Sequence, residues 1–191
     1  MKKLVLIAGM ALVTLSAFAQ PKFAHVNFSE LVQLMPEADK AREAMTASQK
    51  EASETFQAMY EEYQTKVQAY QQKASTWTPA IKESKEKELA DIQQRLEEFN
   101  QTIQQELQQQ QQQLMAPIYQ KAQETVTTLA KAGGYIYVMD QSSFLYFDPA
   151  QSVDLTPEAR KALAIPEGRT LESLQRELQA QAEAEAAAAQ K

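Results

Sequence analysis

His25 is the only histidine in the chain, and cysteine is absent. Thiol catalysis, cysteine zinc sites and disulfides are therefore excluded. His25 sits in the run Phe23–Phe28 with no base, nucleophile or ligand spaced to join it, so it reads as a structural histidine. Carboxylates recur with lysines at helical spacing, as in Glu83 with Lys87. That is the pattern of solvated i,i+4 pairs rather than of a paired-acid centre. Gly9, Gly133, Gly134 and Gly168 are the only glycines, too scattered to cradle a phosphate. No cofactor, no metal and no enzyme activity are expected. The chemistry that remains is contact. Tyr60, Met115 and Tyr119 are large apolar groups lying beside a helical apolar stripe, and Trp77 stands next to Pro79 where that stripe turns. Met and Tyr suit adaptable contact with varied chains. Ordinary packing explains them equally, and for Trp77 a place in the core of the turn is the favoured reading.

These residues are positioned by one stretch, Pro36 to Ala132, which contains no glycine and is dominated by Glu, Gln, Lys and Ala. Before Pro79 the apolar residues run Met45, Ala52, Phe56, Met59, Tyr63, Val67, Tyr70, Ala74 and Trp77. After it they run Leu89, Ile92, Leu96, Phe99, Ile103, Leu107, Leu114 and Ile118. Steps of three and four make a coiled-coil stripe. Two such helices joined at Thr78-Pro79 predict an antiparallel hairpin over residues 37–132, turning near 77–80. A forty-residue helix reaches about 60 Å. The six glutamines Gln108–Gln113 continue the helix and thin its seam. Pro117 predicts a kink rather than a break. Gly133-Gly134 ends the return helix.

Around this arm the elements are short. Pro21–Phe28 predicts a strand, and Ser29 a cap for a helix through Leu34. Tyr135–Met139 and Phe144–Phe147 predict two strands joined by a turn at Asp140–Ser143. Thr156 caps a helix ending near Ile165, and Thr170 caps a last helix. From Gln179 the chain is nearly all Ala, Glu and Gln, which predicts a frayed tail. At the other end, Lys2 and Lys3, an apolar run and Ala17-Phe18-Ala19 predict a cleavable export signal over 1–19. Removing its two lysines takes the formal charge from −6 to −8. Such acidity argues against nucleic acid and an anionic membrane as main partners.

The fold expected is mostly α with a small β body, from which the coiled-coil hairpin arm projects. The body comprises 20–36 and 133–165, and 166–191 form a C-terminal helix and tail. Three short strands leave open edges that invite another copy of the chain. Phe23, Val26, Phe28, Ile136, Val138, Leu145 and Phe147 are the residues expected to build that oligomerisation surface.

The motifs flanking the hairpin are Phe23-Ala24-His25-Val26-Asn27-Phe28, Pro117-Ile118-Tyr119-Gln120-Lys121, Gly133-Gly134-Tyr135-Ile136-Tyr137-Val138-Met139-Asp140, Tyr146-Phe147-Asp148-Pro149 and Asp154-Leu155-Thr156. Their order resembles the Skp (OmpH-like) family of periplasmic chaperones over about Lys22 to Ala164. The resemblance implies a homotrimer with three arms around a cavity. It implies a periplasmic holdase that binds unfolded outer-membrane β-barrel proteins after export and passes them toward the outer membrane without ATP. Well-known members are basic, whereas this chain is acidic, so the contacts with lipopolysaccharide or anionic lipid ascribed to the family are not expected here. The alternative is a structural or adaptor coiled coil of the cell envelope that docks one folded partner.

Overall fold

The computed structural model describes residues 21–189. The export signal expected over 1–19 lies outside them. The elements are β1 (Lys22–Val26), α1 (Phe28–Leu34), α2 (Pro36–Lys73), α3 (Pro79–Gly133), β2 (Tyr135–Asp140), β3 (Ser152–Asp154), α4 (Thr156–Ala162) and α5 (Leu171–Ala189).

The predicted arm is formed by α2 and α3. Pro36 opens α2, where its missing N–H costs nothing, and Glu37 and Asp39 complement the positive helix end. One turn of 3-10 helix, Ala74–Thr76, follows α2. Thr78 then caps α3 by accepting from the Ile81 N–H, with Pro79 behind it. The hairpin is antiparallel: Glu37 meets Lys121 near the root, Ser48 meets Gln110, Phe56 meets Phe99, and Lys66 meets Glu88 toward the tip. The glutamine run is helical, and Gln110 spans the thinned seam to the Ser48 hydroxyl at 2.9 Å. The helix continues through Pro117.

Helix α2 has 38 residues and α3 has 55. The difference sets the sheet topology. Lys121 lies beside Glu37 at the start of α2, and α3 continues from there to Gly133. Those twelve further residues advance about 18 Å, close to the roughly 17 Å of a five-residue strand. The chain is thus carried back past β1, and β2 runs parallel to it. The sheet is parallel throughout, in the order β2-β1-β3. The whole arm is the crossover between its first two strands.

Gly134 ends α3 at φ 67°, the left-handed conformation that glycine adopts without a Cβ penalty. A Cβ there meets nothing within 4 Å, so backbone strain alone governs substitution. Gly134→Ala is expected to cost about 1–2 kcal/mol, and Gly134→Asn less. Urea denaturation of the three proteins checks the order.

The core sits where the arm meets the sheet. Ala24 and Val26 face it from β1, Leu31, Val32 and Leu34 from α1, and Met35 and Ala38 from the start of the arm. Ile118, Ala122 and Val126 of α3 close it, with Ala159, Leu163, Ile165 and Leu174 from the C-terminal part. The opposite sheet face carries Phe23, stacked on Tyr137 at 4.8 Å, and His25.

Several expectations are corrected. Asn27, not Ser29, caps α1, its side chain accepting from the Glu30 N–H at 3.1 Å. The helix therefore begins two residues earlier, and Phe28 lies in it rather than in a strand. Phe144–Phe147 is not a strand, so Leu145 and Phe147 are not strand residues and no hairpin follows β2. Phe144 and Phe147 instead pack on each other, and Phe147 on His25, drawing the segment over the open sheet face. The third strand is Ser152–Asp154, too short to show a period of two. Thr156 is the first residue of α4 rather than its cap. Its hydroxyl accepts from the Asn27 N–H at 2.9 Å, tying α4 to β1. Helix α4 ends at Ala162, closed by Ala164 at φ 54°. Thr170 does cap the last helix through the Ser173 N–H. That helix continues to Ala189, because an Ala, Glu and Gln run keeps helix propensity where nothing docks it.

Candidate functional site

Along the arm the seam is open to solvent. Met45, Phe56, Met59, Tyr63, Val67, Tyr70, Phe99, Ile103 and Leu107 are all half-buried, and between residues 42 and 117 only Ile92 and Leu96 are buried. Two helices bury one seam between them but cannot cover its flanks; a third surface would be needed.

Tyr60 flanks this seam at 46% exposure, its ring 6.4 Å from Phe56 and its hydroxyl accepting from Gln64. Tyr119 is 50% exposed near the root, 6.2 Å from Phe28. Met115 is half-buried against the core, so packing absorbs most of it. Trp77 is half-buried and edge-on to Tyr70 at 5.7 Å, which is a place in the tip's own packing. The four residues are spread along the arm and do not converge on one pocket.

A second apolar surface lies on the sheet and the segment after it. Ile136, Tyr137, Met139, Leu145, Tyr146 and Val153 are exposed, Leu145 wholly so. Val138, paired with Ala24, is half-buried against the core. Sequence reasoning named Ile136, Val138 and Leu145 but missed Tyr137, Met139, Tyr146 and Val153. Strand alternation could have flagged Tyr137 and Met139, since they share the face of Phe23 and His25.

His25 is buried, with Nδ1 2.8 Å from the Ser152 hydroxyl, so its polar edge is spent holding β1 to β3. No helix among the described residues is long and apolar enough to cross a membrane.

Charge is organised at the arm's two ends. At the root, the Lys121 hydrogen bond lowers the pKa of Glu37. Near the tip Glu88 accepts from Lys66 across the hairpin and from Lys85 at 2.8 Å. These two bonds, Lys66 first, hold its carboxyl down at about 2, and the Glu88 bond raises Lys66. A depressed carboxylate stabilises above its ordinary range and loses that contribution as pH falls through about 2. A raised lysine stabilises below its ordinary value and loses its part above it. The tip contact is therefore intact between the two ranges. A carboxyl NMR titration of Glu88 is expected to show its midpoint near 2. Lys66→Ala should return it toward the ordinary carboxylate range. A midpoint of about 4.5 in the unsubstituted chain would contradict the contact.

The family model of outer membrane protein (OmpH-like) matches residues 22–163. That span is most of the chain and contains the arm, the sheet and α4. The chain belongs to the OmpH-like family. No curated protein sequence matches it. Among solved structures, this OmpH-like chain is similar to one described as an outer membrane chaperone (OmpH-like) from Caulobacter crescentus. The TM-score is 0.67 at 16% identity, covering 79% of this chain and 89% of the other. At that identity the likeness concerns the fold. An OmpH-like fold with a helical arm and a small three-stranded sheet is what the amino-acid pattern predicted.

Proposed function

We propose that this chain is an ATP-independent holdase chaperone of the periplasm that receives unfolded outer-membrane β-barrel proteins. The observation that carries the reading is the open arm seam. It is a long apolar stripe, half-buried except at Ile92 and Leu96, with Tyr60 and Tyr119 exposed beside it. Such a surface offers many weak contacts and no deep site, which suits a chain without fixed structure. Family membership supports the same reading.

The working form is a homotrimer, in which the arms surround a cavity and the exposed residues of the sheet are shared between copies. Open edges at β2 and β3 and the uncovered Ile136, Tyr137 and Val153 support it. Sedimentation of the chain lacking residues 1–19 is expected to give a trimer, and Ile136→Asp to dissociate it by placing a carboxylate on the exposed surface that the copies share. A monomer at micromolar concentration in the unsubstituted protein would overturn the trimer.

The holdase itself is tested by binding to one barrel protein, urea-unfolded or folded. Preference for the unfolded form is expected. Binding a folded partner alone would favour the adaptor reading.

A further inference from the structure

We infer that residues 166–189 form a strap that fastens the root of the arm to α1 and α4 and limits how far the arm swings. This segment lies beyond the OmpH-like match, which ends at residue 163. Leu174 is 5% exposed in the same core as Leu34, Met35 and Ala38, and Leu171 packs beside it. Those three core residues span the junction where the arm leaves α1. At that junction Met35 is extended, at φ −61° and ψ 141°, and breaks the helix before Pro36. An extended residue between two helices is a natural pivot.

Polar contacts cross the pivot through the strap. Arg160 of α4 pairs with Glu30 of α1 at 2.5 Å and donates to the Arg169 carbonyl. Arg169 in turn pairs with Asp39 in the first turn of α2 at 2.6 Å, and with Glu177 of α5 at 3.7 Å. Asp39 also receives Arg42, which reaches back across the pivot to the Gln33 carbonyl. Body, strap and arm are thus tied in one series. The side chains of Arg160 and Arg169 are 19% and 18% exposed, so salt screens them less than surface pairs. Leu174 adds an apolar peg that salt does not weaken.

The test uses the full chain, whose lack of cysteine permits selective labelling. Glu51→Cys on the arm and Glu158→Cys on α4 are both exposed and take spin labels. Labelled chains are diluted with unlabelled ones, so that distances are within one chain. In the double variant Arg169→Ala with Leu174→Ser, the arm-to-body distance distribution is expected to become about twofold wider, as a locally released element would. Far-UV circular dichroism checks that the helices persist. Should that variant fail to fold, a chain ending after Gly168 is measured in its place. An unchanged width in the folded variant overturns the strap.

Discussion

Replacing Leu31 by alanine is expected to destabilise the chain by about 2–5 kcal/mol. Leu31 is fully buried and lies in the core where α1, the arm and the sheet meet. Its N–H reaches back to the Asn27 carbonyl and its carbonyl receives the Met35 N–H, so the surrounding backbone is held on both sides. The cavity left by alanine therefore closes poorly. A whole domain is stable by only about 5–15 kcal/mol, so the loss is a large fraction of the total. Leu178→Ala is the control: at 39% exposure on α5 it is expected to change stability by no more than about 0.5 kcal/mol. Urea unfolding followed by far-UV circular dichroism measures both. Equal midpoints for the two variants would show that the arm, not this junction, dominates the stability of the chain.

Client capture under the proposed function is expected to be multivalent and mainly non-ionic. Without residues 1–19 the formal charge is −8, so no broad positive field draws a partner in. Exposed charges are screened within about 8 Å at physiological salt. Tyr60 and Tyr119 are the exposed apolar groups beside the seam, whereas Met115 is already held by the core. The double variant Tyr60→Ser with Tyr119→Ser is thus cleaner than one that also disturbs Met115. Full burial of one such side chain is worth about 1.5–3 kcal/mol, and partial burial less. Repeated on three arms, each contact raises the effective concentration for the next. Affinity for a urea-unfolded barrel protein is expected to fall about tenfold or more in the double variant, equivalent to roughly 1.4 kcal/mol. It should fall only modestly between low and high salt. Steep salt dependence with an unaffected double variant would place the contact instead on local charge, at Lys82, Lys85 and Lys87 near the tip.

The arm was legible because its information is local and repeated. The three-four spacing of Met45 through Trp77 and of Leu89 through Ile118 specifies one seam on each helix. Thr78-Pro79 and Gly133-Gly134 mark the ends by backbone chemistry that needs no partner. The contacts Phe56–Phe99 and Ser48–Gln110 are that register realised. The exposure of Tyr60 and Tyr119 was equally local, since each stands outside the stripe.

The sheet was legible only in part. Phe23–Val26 and Tyr135–Met139 carried enough β-branched and aromatic character to be found. Their parallel pairing was decided by the extra length of α3, which returns the chain to the start of β1. Phe144–Phe147 has the composition of a strand, yet its aromatic rings gain more by packing on one another and on His25. Ser152–Asp154 has no strand signal and becomes one because β1 offers it an edge. The C-terminal segment was similar. Thr170 announced the helix, but that Leu174 enters the core and Arg169 reaches Asp39 depended on residues some 130 positions apart. By itself the sequence determined the arm, its ends and the absence of cysteine chemistry, because spacing along one helix is read within a few residues. Only the tertiary structure decided the order of the sheet, the third strand and the docking of the last helix. Those choices depend on which distant surfaces meet, and on packing energies that no local pattern encodes.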